Sequence, residues 1–291
     1  MPTEALSSFQ DRVLRLLAVN RSEESHLAGG ASIALCDGAL RGTDDLDYFH
    51  DKSEFVQAAF RKDAETLTAA GISLDVRLQS PGFIRAVASE PRSSASVDSG
   101  QTKIEWVYDS AWRFLPIQPH PVAGFVLHPV DVAINKVLAC VGRDEARDML
   151  DLVFFNQTHL PLGSMVWAAV AKDQGWTPEG IIDVLGRKRL GPDEIQRLKL
   201  IEPASIYQLK QDWLVALAEA KAFVSYAPKE TVGCLFYDPP KARFFQPKEG
   251  EFQASVVHAA SRGGVIPIIG DTAPMADELP QHATWRTYKL T

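Results

Sequence analysis

Cysteine and long apolar segments are both scarce in this chain of 291 residues. Its three cysteines, Cys36, Cys140 and Cys234, lie far apart and form no C-x-x-C pair. This spacing argues against a disulfide framework and the usual zinc patterns, so we expect reduced, buried thiols. No stretch approaches the roughly 18 apolar residues that a membrane span requires, and charged side chains interrupt the start of the chain where a secretory signal is apolar. We therefore expect a soluble, cytoplasmic protein with no membrane partner.

Several common catalytic patterns are also missing. The sequence contains no G-x-S-x-G, no G-x-x-x-x-G-K and no H-E-x-x-H segment, which disfavours the corresponding serine hydrolases, P-loop enzymes and zinc proteases. Positive charge is in deficit, because 30 Lys and Arg side chains face 37 Asp and Glu, a formal net charge of −7. This balance argues against a broad surface that neutralises the phosphates of duplex DNA.

The patterns that are present predict an α+β fold. Strand-like segments and helices alternate up to residue 127, which predicts a mixed sheet flanked by helices as a catalytic domain. Residues 128–227 predict a helical domain, in which 130–155 is helical with a candidate break near Gly142. Residues 228–291 are rich in Gly, Pro and aromatic residues, and they predict a small β-rich appendage.

Two aspartates in the first region point to a metal ion. Asp45 and Asp47 lie two positions apart in a strand-like segment, so both side chains belong to one face. Neighbouring carboxylates repel unless a cation lies between them, and hard oxygen ligands favour Mg²⁺ or Mn²⁺ over zinc. The alternative is a solvated acidic turn, because an isolated D-x-D is common.

A glycine pair precedes these aspartates by one short helix. Gly29 and Gly30 follow a strand-like segment, and glycine backbones at the mouth of a helix let a phosphate approach their N–H groups. Phosphate and metal would then share one cleft, as phosphoryl transfer from a magnesium-bound triphosphate requires. The alternative is an ordinary Gly-Gly turn.

A third carboxylate would complete a two-metal site. Glu105 and Asp75 both lie in apolar strand-like segments and compete for this role. We favour Glu105, because its strand follows another strand and is expected next to the strand of Asp45 and Asp47. An acid on the surface of an edge strand is the alternative interpretation of Glu105.

The second informative segment runs from residue 129 to residue 151. On one continuous helix, Lys136, Arg143, Arg147 and Asp151 fall within roughly 80° of one another and form a polar stripe. Lys136 projects from an otherwise apolar stretch, so its point charge suits a triphosphate. A salt-bridged surface helix is the alternative, and it suits the i,i+4 spacing of Arg143, Arg147 and Asp151.

Together these segments resemble the AbiEii/AbiGii toxin family of nucleotidyltransferases, part of the superfamily with the DNA polymerase beta-like catalytic fold. The family pattern is Gly-Gly, a short helix, Arg-x-Ser/Thr-x-Asp-apolar-Asp, and later a lysine helix that leads into Arg-x-x-x-Arg-Asp-x-x-Asp. This chain has Gly29-Gly30, the segment from Arg41 to Asp47, and Lys136 followed by residues 143–151. It departs from the pattern at Ala31, where a hydroxyl residue is usual, and Ser32 comes one place later.

The resemblance implies that Asp45 and Asp47 bind catalytic Mg²⁺ or Mn²⁺, that Glu105 assists, and that Lys136 contacts the phosphates of an NTP. The other residues of the two motifs are assigned to nucleotide binding: Gly29, Gly30, Ser32, Arg41, Thr43, Arg143, Arg147, Asp148 and Asp151. The implied reaction moves a nucleoside monophosphate from an NTP to an acceptor and releases pyrophosphate.

The same resemblance implies a toxin of a toxin–antitoxin or phage-defence system, with tRNA or another RNA as acceptor and a cognate antitoxin as partner. Basic residues at 187–189 with Arg197 and Lys199 favour RNA, although solvated helix ends explain them equally well. A small-molecule acceptor such as an aminoglycoside is one alternative. Another is a catalytically lapsed nucleotide- or RNA-binding module that acts through a partner, which the substitution at Ala31 favours.

Overall fold

A computed structural model describes residues 5–90, 100–202 and 205–267 of the chain. Within these residues the chain forms two compact units. The first contains residues 5–111 and 116–128, and the second contains residues 112–115 and those from 129 onward. Because compactness alone does not establish independent folding, the expected domain boundaries after residues 127 and 227 stay predictions. Part of the expected appendage, residues 268–291, lies outside the described residues.

The described elements alternate between strand and helix in the first unit and are mainly helical in the second. The strands are β1 (Ser25–Ala28), β2 (Asp45–His50), β3 (Ser73–Ser80), β4 (Phe83–Ser89), β5 (Gln101–Tyr108), β6 (Trp112–Arg113), β7 (Gln118–His120), β8 (Gly124–Val126), β9 (Cys234–Asp238), β10 (Arg243–Phe245), β11 (Val256–Ala259) and β12 (Ser261–Arg262). The helices are α1 (Ser8–Leu17), α2 (Gly29–Ala34), α3 (Ser53–Ala69), α4 (Pro129–Gly142), α5 (Ala146–Thr158), α6 (Leu162–Ala169), α7 (Pro178–Leu185), α8 (Pro192–Gln196) and α9 (Ile206–Tyr226).

The first unit is built on a mixed sheet of seven strands in the order β3-β4-β5-β2-β1-β8-β7. Strand β2 runs parallel to β5 and antiparallel to β1, and β1 runs parallel to β8. The expected mixed sheet with flanking helices is therefore confirmed.

Alternation along the central strands gives this sheet two chemically different faces. Leu46, Tyr48 and His50 of β2 are buried, whereas Asp45 and Asp47 are half-buried. Strand β5 repeats the pattern, and α1 and α3 cover the buried side. Because the side-chain period of a strand is two, the apolar packing behind the sheet leaves the polar residues together on the opposite face.

The second unit combines helices with small sheets. Strands β10, β9 and β11 form a three-stranded antiparallel sheet, which confirms the expected small β-rich region near the C-terminus. Its aromatic side chains pack against the helices, with the Phe236 ring 6.1 Å from that of Phe223 on α9. No helix in the described ranges is long and apolar enough to cross a membrane.

The structure corrects two local expectations. Residues 130–155 do not form one helix, because α4 ends at Gly142 and α5 begins at Ala146 after an extended Glu145. The candidate break near Gly142 is therefore real, and the angular stripe calculated for one helix does not apply across it. Serine is a favoured N-cap, so the sequence predicts Ser53 as the N-cap of α3; in the structure Ser53 is the first helical residue, and the N-cap is Lys52, which has no side-chain capping bond.

Candidate functional site

The parallel pairing of β2 with β5 brings the predicted acidic residues onto one face. Asp47 lies opposite Glu105 in the register, and Asp45 lies opposite Lys103. All four side chains belong to the half-buried face of the sheet. Asp75, the competing third carboxylate, lies on β3 at the sheet edge and pairs there with Arg77 at 2.6 Å. The register thus places Glu105, and not Asp75, beside the two aspartates.

Lys103 links the carboxylates of the two strands. Its Nζ lies 2.8 Å from Asp45 Oδ2 and 3.1 Å from Glu105 Oε1. Glu105 Oε1 also accepts a hydrogen bond of 2.8 Å from Nε of Arg85, on the next strand. Burial lowers the pKa of Lys103, but hydrogen bonds to Asp45 and Glu105 outweigh it and leave the pKa above its ordinary value. The ammonium therefore remains charged between the two acids.

The backbone of Gly29 packs directly against the side chain of Asp47. Its φ of +59° lies in the left-handed region that glycine tolerates, and a Cβ at this position would collide with the Asp47 carboxylate. Ala28 at the end of β1 is the register partner of Asp47, which explains how the turn comes so near the acid. The missing side chain thus lets the Asp47 carboxylate pack directly against the Gly29 backbone.

The second glycine approaches the loop that leads into β2. A Cβ on Gly30 would lie 2.8 Å from Thr43 Oγ1 and 3.6 Å from Nη2 of Arg41. Thr43 is buried, and its Oγ1 accepts a hydrogen bond of 3.3 Å from the Asp45 N–H. Arg41 is also buried, and its Nη1 donates to the Gly42 carbonyl at 2.9 Å. Arg41 and Thr43 therefore shape the turn that aims Asp45.

Ser32 does not replace the hydroxyl that is missing at Ala31. Its Oγ donates to the Gly29 carbonyl at 2.8 Å, and the residue is fully buried within α2. Because α2 has only six residues, its dipole contributes little, and the glycine backbone is the feature that suits a phosphate.

A buried ion pair supports the opposite face of the sheet. Asp63 of α3 binds Arg21 Nη2 at 2.6 Å and accepts a hydrogen bond of 2.7 Å from Trp106 Nε1 of β5. The Arg21 guanidinium lies 4.2 Å from the centre of the Tyr48 ring. Removal of one partner from such a buried pair leaves an uncompensated charge, so the network fixes β2 and β5 against α3.

His50 lies on this buried face, at the end of β2. It is fully buried, and neither ring nitrogen has a hydrogen-bond partner among the described residues. Burial, aided by the charge of Arg21, lowers the pKa of His50 to about 3. The imidazole is therefore neutral at physiological pH and serves the packing of the sheet.

The second predicted motif forms an ion cluster within the second unit. Lys136 Nζ on α4 lies 3.0 Å from Asp148 Oδ1 and 3.0 Å from Asp151 Oδ2, both on α5. Arg143 adds two hydrogen bonds to Asp148, at 2.6 Å and 2.9 Å. Burial raises the pKa of Asp148, but the bonds from Arg143 and the charge of Lys136 outweigh it and leave the pKa below its ordinary value.

Burial distinguishes the members of this cluster. Only 9% of the Lys136 side chain is exposed and none of Asp148, whereas Arg143 is 46% exposed. Arg147 lies 3.7 Å from Glu145 and is partly exposed. The structure thus joins Lys136, Arg143, Asp148 and Asp151, while Arg147 lies near Glu145, two residues before it.

Sequence reasoning missed the cations of the carboxylate face. Lys103 and Arg85 were not assigned a role, although Lys103 alternates with Glu105 in the same strand. The alternation alone would have placed Lys103 on the face of Glu105, but its contact with Asp45 depends on the pairing of β2 with β5. The role of Asp63 was missed for the same reason, because its partners lie 42 and 43 positions away.

The donor set suits a hard divalent cation. Carboxylate oxygens are the ligands that Mg²⁺ and Mn²⁺ prefer, and the Gly29 backbone lies directly against one of the three acids. Within the described residues, no three His, Cys, Asp or Glu side chains form a ready ligand group. The ammonium of Lys103 lies between two of the three acids, Asp45 and Glu105.

Comparisons with known proteins support the fold. No family model and no curated protein matches the chain. MenT4, a nucleotidyltransferase toxin from Mycobacterium tuberculosis, has a TM-score of 0.50 at 17% identity, with coverage of 76% of this chain and 83% of that chain. A candidate nucleotidyltransferase from H. pylori has a TM-score of 0.51 at 17% identity, with coverage of 77% and 98%. This chain therefore has a nucleotidyltransferase fold, as its resemblance to the AbiEii/AbiGii family implied.

Proposed function

We propose that the protein is a metal-dependent nucleotidyltransferase that moves a nucleoside monophosphate from an NTP to an acceptor. The observation that carries this proposal is the joint placement of Asp45, Asp47 and Glu105 on one face of adjacent strands, with the Gly29 backbone against Asp47. Three neighbouring acids on a half-buried face repel one another, whereas they suit a reaction that needs divalent cations.

Each residue of this face has a defined task in the proposal. Asp45, Asp47 and Glu105 hold Mg²⁺ or Mn²⁺, which when bound stabilises the charge on the attacking and leaving oxygens. The backbones of Gly29 and Gly30 present N–H groups to the triphosphate, and both must lack a side chain because a Cβ on either would collide with Asp47 or Thr43. Arg41 and Thr43 hold the turn before β2, and Ser32 holds the first turn of α2.

For the second motif we infer a mainly structural task. Lys136, Asp148 and Asp151 bind one another in a buried cluster that ties α4 to α5. Contact of this motif with the NTP phosphates is proposed through its more exposed members, Arg143 and Arg147. A planar guanidinium suits a phosphate because it donates hydrogen bonds in pairs.

The acceptor that we propose is RNA, with tRNA as the first candidate. MenT4 is a toxin, and toxin-like activity on RNA, controlled by a cognate antitoxin, is the biological role that we infer for this chain. Lys188 has only 13% of its side chain exposed and binds the Arg143 carbonyl, so the basic residues near it are partly used in folding. A cytoplasmic location follows from this choice of substrates.

Incubation of the full chain with labelled NTPs, Mg²⁺ and bulk RNA tests the proposal. We expect release of pyrophosphate and label in the RNA, and a loss of at least about a thousandfold in Asp47→Asn, which keeps the shape but not the charge. Lys62→Gln, a change on the exposed side of α3, is the control and should retain full activity. Equal activity in wild type and Asp47→Asn, or none in either, contradicts the proposal.

A second function is favoured by one observation. Ala31 lacks a hydroxyl and that of Ser32 is bonded to Gly29, so the glycine turn presents no side-chain hydroxyl to a phosphate. This arrangement fits a catalytically lapsed nucleotide- or RNA-binding module that acts through a partner. Calorimetry separates the two functions: NTP binding that is indifferent to Mg²⁺ and to Asp45→Asn favours the lapsed module, and magnesium-coupled binding favours the enzyme.

A further inference from the structure

Lys103 occupies a special position on the carboxylate face. It lies on β5 two residues before Glu105 and opposite Asp45 in the parallel register. Its ammonium therefore reaches one carboxylate on its own strand and one on the neighbouring strand, at 3.1 Å and 2.8 Å. A single positive charge thus compensates two acids that would otherwise repel each other.

The surroundings of Lys103 allow its ammonium to leave. One third of its side chain is exposed, at 33%, and a lysine stem rotates readily toward water. Glu105 keeps a second cation when Lys103 departs, because Arg85 donates to the same Oε1. Asp45 stays in position because its backbone N–H donates a hydrogen bond to Thr43 Oγ1. The framework of the face is therefore held by groups other than Lys103.

We propose that Lys103 is an exchangeable counter-ion, which bridges Asp45 and Glu105 in the metal-free protein and gives way when a divalent cation binds there. The inference rests on the proposed function, since it presupposes that these acids bind metal. Lys103 is then a positioning residue. Its charge competes with the metal ion and so lowers the apparent metal affinity, and in the metal-free protein it offsets the repulsion between Asp45 and Glu105. Loss of the lysine charge leaves the acids more negative, so the metal binds more tightly.

Titration of the full chain with Mn²⁺ alone, followed by electron paramagnetic resonance of the free ion, tests this proposal. We expect Lys103→Met to bind Mn²⁺ about tenfold more tightly than wild type and Lys103→Gln to behave in the same way. Lys103→Arg retains the charge and should remain within about twofold of wild type. Lys52→Met is the matched control, because it removes one charge from an exposed lysine of the same unit that pairs weakly with Glu24 at 3.7 Å.

The outcomes separate the lysine from the metal site. Unchanged or weaker Mn²⁺ binding in both Lys103→Met and Lys103→Gln, with wild type still binding, overturns the exchange but leaves the proposed function standing. An equal gain in Lys52→Met also overturns it, because the effect would then reflect overall charge. Failure of wild type and all variants to bind Mn²⁺ overturns both the exchange and the metal site of the proposed function.

Discussion

The two units contain the same ionic arrangement in opposite surroundings. In the first, Lys103 bridges Asp45 and Glu105 between two strands; in the second, Lys136 bridges Asp148 and Asp151 between α4 and α5. Lys103 is 33% exposed and Lys136 only 9%. One lysine lies where water and ions can replace it, and the other is enclosed. Burial, and not the pairing itself, therefore distinguishes the candidate reactive face from a structural cluster.

The energies expected for the two arrangements differ accordingly. Exposed ion pairs contribute about 0–1 kcal/mol to folding, because water screens them and side-chain entropy opposes them. Breaking a buried pair costs about 3–5 kcal/mol, because the remaining charge has no solvent. The same mutation at the two places should thus affect different properties, namely metal binding in the first unit and folding in the second.

The largest expected effect is on folding of the second unit. Asp148→Ala leaves Lys136 and Arg143 without their shared acid, and we expect the free energy of unfolding in urea to fall by about 3–5 kcal/mol. Asp45→Ala, its counterpart in the first unit, should cost less than Asp148→Ala, because Asp45 and Lys103 keep 15% and 33% of their side chains exposed whereas Asp148 is fully buried. Similar losses in both variants would remove the distinction between the two clusters.

Acid should lower the stability contributed by His50 in the first unit and by Asp148 in the second unit at different pH values. The folded pKa of His50, about 3, is below its unfolded value of about 6.5, so the unfolded chain binds the proton first and stability falls as pH drops below 6.5. Between pH 7.5 and pH 5 this histidine should account for about 2 kcal/mol. The pKa of Asp148 is depressed below 3.8, so its contribution is lost only in more acidic solution.

Urea unfolding of wild type and His50→Gln at pH 7.5 and pH 5 measures the first of these effects. The variant should lose about 2 kcal/mol less than wild type over this interval. If wild type and His50→Gln lose the same unfolding free energy between pH 7.5 and pH 5, then His50 takes up its proton in the folded protein as well. The pKa values of buried His120 and half-buried His159 are lowered to about 4, and that of His258 is also lowered, so these histidines add to the loss.

The smallest expected effect on stability separates backbone strain at a glycine from a role of that glycine in the candidate site. Gly29→Ala and Gly71→Ala both place a side chain at a left-handed φ, of +59° and +75°, which should lower the free energy of unfolding by about 1–2 kcal/mol at Gly71 and by more at Gly29. Only the Gly29 side chain collides with Asp47, whereas nothing lies within 4 Å of the one at Gly71. Pyrophosphate release should therefore be lost in Gly29→Ala and preserved in Gly71→Ala. Equal pyrophosphate release by the two variants would show that Gly29 is not part of the site.

The sequence predicted local features well and long-range contacts poorly. The alternation in β2, the Gly-Gly turn and the strand of Glu105 follow from the side-chain period and from backbone sterics, which act over a few residues. The end of α4 at Gly142 was only a candidate, because apolar periodicity continues on both sides of it. The partners of Lys103 and Asp63 depend on which strands and helices pack together, and no local pattern specifies that.

Magnesium-dependent nucleotide binding tests the difference between the two units most directly. Calorimetry of a non-hydrolysable NTP analogue with wild type and Asp47→Asn, each with Mg²⁺ and with a chelator, isolates the carboxylate face. The account predicts that Mg²⁺ strengthens binding at least tenfold in wild type and has no such effect in Asp47→Asn. Equal affinities of wild type with Mg²⁺ and with chelator would contradict it.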